Sequence, residues 1–145
     1  MLTADKQRSK ALHTLRLVPL PVAAGEVIFV GALVCTDATG VAVPAADAAG
    51  TVFQGVAHRG FDNSAGADGD LSGPLSQQRY CEVDQNGPYS FAVDGAAPIS
   101  GDTALVVDDD TVSAAATVNS LACGRFTEPD PAQAGNWFVD VERGV

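Results

Sequence analysis

The chain has 145 residues, enough for one domain with a core of its own. Its formal charge of −10 argues against nucleic acid as a partner, because phosphates select basic patches. Hydrophobic residues make up 46%, weighted towards Ala and Val, so the core is expected to be thin and to suit a domain further stabilised by neighbouring subunits.

The charge is unevenly spread. Residues 1–16 carry Lys6, Arg8, Lys10 and Arg16 against Asp5, a net of +3, which leaves −13 for the remainder. A basic N-terminal arm, residues 1–20, therefore precedes an acidic body, residues 21–145. Such an arm is either a solvated terminus or a segment that docks on an acidic neighbour, such as another copy's body, through Lys6, Arg8, Lys10 and Arg16. From Thr3 the arm allows a short amphipathic helix with Ala11, Leu12 and Leu15 on one side. Val18-Pro19-Leu20-Pro21 then forces extended backbone, since each proline fixes its own φ and restricts the residue before it. The start is polar and basic, unlike a secretory signal, and no apolar run approaches the length of a membrane span.

The body reads as short strands. Residues 27–35, 41–43 and 51–57 are rich in Val, Ile and Phe and bounded by Gly, Asp or Pro, which predicts a compact opening meander. Residues 62–70, DNSAGADGD, form a loop by composition. Residues 79–84 and 89–93 read as a hairpin turned by Gln85-Asn86-Gly87-Pro88. Further strands are expected at 103–107, 111–113, 121–127 and 136–142, the last with Trp137, Val139 and Val141 on one face. Trp137 is the expected large core or interface anchor. About eight to ten short strands and no long helix predict an all-β barrel or sandwich.

Chemistry-bearing groups are few. Cys35, Cys81 and Cys123 are odd in number and form no CxxC, so they read as small buried hydrophobes of a reducing compartment. His58 lies near Asp62 but without a nucleophile motif, so a small hydrolase is the weakest reading. The acidic stretches 62–70 and 108–110 fit turn chemistry better than a calcium loop, whose ligands alternate and end in Glu. Lys6 and Lys10 precede every glycine, which removes any P-loop. No catalytic, cofactor or metal site is assigned. The alternative kept open is a calcium- or glycan-binding β module on a virion or cell surface.

Several stretches, taken in order, carry a resemblance. They are Pro21-Val22-Ala23-Ala24-Gly25 leading into Ile28-Phe29-Val30-Gly31-Ala32-Leu33-Val34, then Thr39-Gly40, Val43-Pro44-Ala45 and Gly55-Val56-Ala57. The loop 62–70, the segment 107–113, Ala122-Cys123-Gly124-Arg125 and Trp137-Phe138-Val139-Asp140-Val141 continue the pattern. In these the chain is similar to the small capsid cement, or head decoration, proteins of tailed phages. The arm and residues 79–93 depart from that family's usual opening and middle hairpin. The resemblance implies a non-enzymatic structural protein, assembled in the host cytoplasm, that binds the major capsid protein on the outer surface of the virion head. It further implies self-association, as a homotrimer with a dimer the next choice, and stabilisation of the shell against internal DNA pressure.

Overall fold

The computed structural model describes residues 1–8 and 13–144. The chain is all-β, as expected. Its strands are β1 (Leu17–Pro21), β2 (Val27–Ile28), β3 (Leu33–Thr36), β4 (Ala42–Pro44), β5 (Val52–Arg59), β6 (Phe61–Asp62), β7 (Tyr80–Asp84), β8 (Asn86–Asp94), β9 (Thr103–Val106), β10 (Thr111–Ser113), β11 (Ala122–Pro129) and β12 (Asn136–Glu142), with one 3-10 turn at Leu75–Gln77. The sequence suggested fewer because the apolar run 27–35 is cut in two at Gly31, whose φ of +87° reverses the chain between β2 and β3.

A closed barrel and an open sheet make up most of the fold, with β2 and β6 paired as a small sheet of their own. β10, β8, β12, β11 and β9 close a barrel in that order, and β1, β7, β5, β3 and β4 form a five-stranded sheet beside it. All pairings are antiparallel except β10 with β8, which run parallel. Side chains alternate across the five-stranded sheet. Leu33, Cys35, Phe53 and Val56 face the barrel and join Phe91, Val106, Phe126 and Val139 in the larger core. Val34, Ala57, Cys81 and Val83 face the other way and pack with Val22 and Ile28 in a smaller one. β3 is buried along its whole length because it lies between the two clusters.

The opening strands do not form a sequential meander. β4 and β5 both pair with β3, which takes the centre. Nor do the two strands around residues 85–88 pair as a hairpin. β7 pairs with β1 and β5, whereas β8 pairs with β12 and β10, so the chain crosses from sheet to barrel at Gln85. Residues 86–88 are not a turn but the first residues of β8, in register with 140–142 of β12. The crossover is made tight at Gly55, where β5 bulges at a φ of +152° and a Cβ would collide with the Asp84 carbonyl. Pro19 and Pro21 sit in β1, an edge strand, where a missing N–H costs least.

Candidate functional site

Residues 1–8 form no helix; they lie along the body as a strap. Lys6 N–H donates to the Val30 carbonyl at 2.8 Å, and Val30 N–H donates back to Asp5 Oδ1 at 2.8 Å. The strap closes onto the reversal between β2 and β3, where Gly31 is required twice over. Its φ is positive, and a Cβ would strike the Lys6 carbonyl.

The strap ends on the acidic turn between β9 and β10. Asp108 Oδ2 accepts from the terminal amine at 2.8 Å, and Asp109 Oδ1 accepts from Leu2 N–H at 2.9 Å. Asp110 Oδ1 takes Lys6 Nζ at 2.8 Å and Arg8 Nη2 at 2.9 Å. Three adjacent carboxylates do not converge on one point; here each meets a different donor of the strap. Burial pushes Asp110 up, but Lys6 and Arg8 outweigh it and hold the carboxyl below its usual range. Asp109 is buried, with the terminal amine 3.9 Å from its Oδ1, and desolvation holds its carboxyl above that range.

Arg8 is the keystone of this arrangement. Its side chain is 1% exposed. The guanidinium donates to the Gly31 carbonyl at 2.5 Å, the Ser90 carbonyl at 2.8 Å and Asp110, and it stacks 4.0 Å above the Phe91 ring. One side chain thus joins the strap, the β2–β3 reversal, the barrel strand β8 and the acidic turn. A planar, delocalised cation with a fixed fork of donors suits this role, and a lysine would not reproduce it.

A second polar centre involves His13 and Arg16, just before β1. Asp84, fully buried at the end of β7, accepts from Tyr89 Oη at 2.5 Å, from Arg16 N–H at 2.9 Å, and lies 2.8 Å from His13 Nε2. Burial opposes the charged form, yet these hydrogen bonds, Tyr89 and His13 foremost, keep the carboxyl below its ordinary range. The His13 ring also meets Tyr89 edge-on at 5.5 Å. Sequence reading put residue 13 in the basic arm and residue 84 in a separate hairpin strand, and so missed this pairing.

The expected interface residues separate. Lys6 and Arg8 are ion-paired within the chain through Asp110, and Lys10 lies outside the described residues. The Arg16 side chain is exposed and lines a polar concavity of about 540 Å³ with Asn86, Asp140 and Glu142. Trp137 is half-buried, packing edge-on against Phe126 with ring centres 6.2 Å apart. His58 is exposed, and Asp62 is engaged by Ser64 N–H at 2.9 Å. In the 62–70 loop Asp68 accepts from Ala24 N–H, tying the loop to the segment before β2, and Asp70 accepts from Ser72 in a local turn. With 108–110 occupied by the strap, the calcium-module alternative finds no support. Among the described residues, no group of three or more His, Cys, Asp or Glu is arranged to hold a metal ion.

The family model described as "Structural cement protein (E217 gp24/Pam3 gp6)", a phage cement family, matches residues 2–141. The chain belongs to this family. The match runs from the strap into β12 and so covers nearly all of this chain. No significant match was found among curated proteins or among solved structures. The chain is therefore a structural cement protein of the phage capsid, and its place is on the capsid of the virion.

Proposed function

We propose that this cement protein binds the outer surface of the icosahedral head, through the major capsid protein, and raises the shell's resistance to internal DNA pressure without turning over any substrate. The observation that carries this reading is the near full-length family match. The charge supports an outer rather than inner position, since a body of −13 beyond residue 16 would be repelled by packaged DNA. Each copy contributes a modest binding energy, but a ligand that binds only the assembled state stabilises it by mass action at every site.

Within this reading residues 1–20 are a basic N-terminal arm and 21–145 the decoration body. Lys6 and Arg8 serve the interface indirectly, by holding the strap down, while Arg16 and the exposed part of Trp137 make direct contact. Copies associate on the head, as a trimer in the first instance and a dimer otherwise. The test is thermal rupture of heads with and without the protein, followed by release of DNA to an intercalating dye. Decorated heads rupture at a higher temperature; equal rupture temperatures would remove the proposal.

A further inference from the structure

The geometry points to the loop between β10 and β11, with the start of β5, as the surface that meets the outer face of a capsid subunit. This rests on the cement reading and names the contact it requires. Residues 111–124 hold no charged side chain, the longest such run in a chain with 18% charged residues, and residues 48–57 hold none either. The two stretches come together at one end of the molecule. Thr51, Val52, Phe53, Asn119, Leu121 and Ala122 line a shared groove of about 370 Å³.

Two large apolar side chains stand out there. Val118 is 94% exposed and Val52 is 52% exposed. The Val118 loop is held in one conformation. Asp47 accepts from Val118 N–H and Asn119 N–H, both at 2.8 Å, and its carbonyl accepts from Asn119 Nδ2 at 2.8 Å. Ser120 is held at a φ of +48°, with its N–H on Thr117 Oγ1 at 3.1 Å. Fixing a loop whose tip is an exposed valine gains the isolated protein no burial, but it lowers the ordering cost of a later contact. Asp47 is the one carboxylate within residues 41–57, and it points its charge into this loop.

Charge selects the face. Interface centres are depleted of charged residues, and at this end two uncharged stretches adjoin, so a contact there strips water from few carboxylates. The occupant is a capsid subunit, the partner that a phage structural cement protein must hold.

The test is binding of purified protein to heads that lack it, counted as copies per head over a concentration series. Val118→Asp and Val52→Lys are compared with Leu75→Asp, a control at a side chain 86% exposed elsewhere. Melting curves of the free variants check that all are folded. The expected result is a loss of roughly tenfold or more in affinity for the first two and none for the control. Equal binding by folded Val118→Asp and wild type overturns the inference while leaving the cement reading intact. So does a change confined to self-association, read by light scattering, which would assign the face to a second copy. Failure of the wild type to bind any head overturns the cement reading and this contact with it.

Discussion

Replacing Arg8 by Ala tests how the strap is held. The side chain is 1% exposed and is shared among Gly31, Ser90, Asp110 and the Phe91 ring. Truncation removes three charge-assisted hydrogen bonds and the ring contact, and it leaves two carbonyls and part of a carboxylate without their donors. Breaking a buried charged pair by removing one partner costs about 3–5 kcal/mol. For a domain of this size that corresponds to a fall in melting temperature of about 10–20 °C, read by circular dichroism or calorimetry. Lys6→Ala, which removes a cation 31% exposed on the same carboxylate, should cost about 1 kcal/mol or less. Arg8→Lys keeps the charge but not the fork, and belongs nearer to Ala than to wild type. A double-mutant cycle with Asp110→Asn should show the two residues coupled. The reasoning is refuted if Arg8→Ala melts within about 3 °C of wild type, or if Lys6→Ala costs as much as Arg8→Ala.

Other expectations follow from the same contacts. Asp84 and Asp110 titrate below the ordinary carboxylate range, so their stabilising contribution is complete above about pH 4 and is lost as pH falls through their lowered values. Asp109, shifted upward by burial, works in the opposite sense and blunts the effect. Melting temperature should therefore drop between about pH 5 and pH 2, more gently in Asp110→Asn; parallel curves would contradict this. Gly31→Ala should destabilise by well over the about 1 kcal/mol expected of Gly40→Ala in chemical denaturation. Both have positive φ, but only Gly31 backs onto the strap. Burial pushes Cys35 up to about 11 and Cys81 and Cys123 up to about 12, so the native protein should resist thiol reagents at pH 8 and release three thiols only on unfolding.

Much of this was legible in the sequence. Alternation in 136–142 gave the right inward face, with Val139 and Val141 fully buried in the barrel and Asp140 outside. The same rule misled at 79–93. Asn-Gly there looks like a tight turn, but Gly87 lies within β8 at a φ of +105°, beside the His13 ring, and the true crossover is at Gln85. Asp84 beside that crossover also takes His13 and the Arg16 amide, about seventy residues earlier, contacts that no local pattern encodes. The arm shows the same limit. Its +3 charge and the acidic body were visible, and so was Asp108-Asp109-Asp110. That the one folds onto the other within a single chain depends on contacts about a hundred residues apart, and on a glycine whose need arises only once the strap is in place.

The central claim is that this chain is held on the outside of the head between shell subunits. An electron cryomicroscopy map of intact heads tests it most directly. The account predicts density fitting the barrel and sheet on the outer surface, at every equivalent junction of capsid subunits, with residues 1–8 folded on the body. A fully populated head without that density, or with it on the inner wall, would contradict the account.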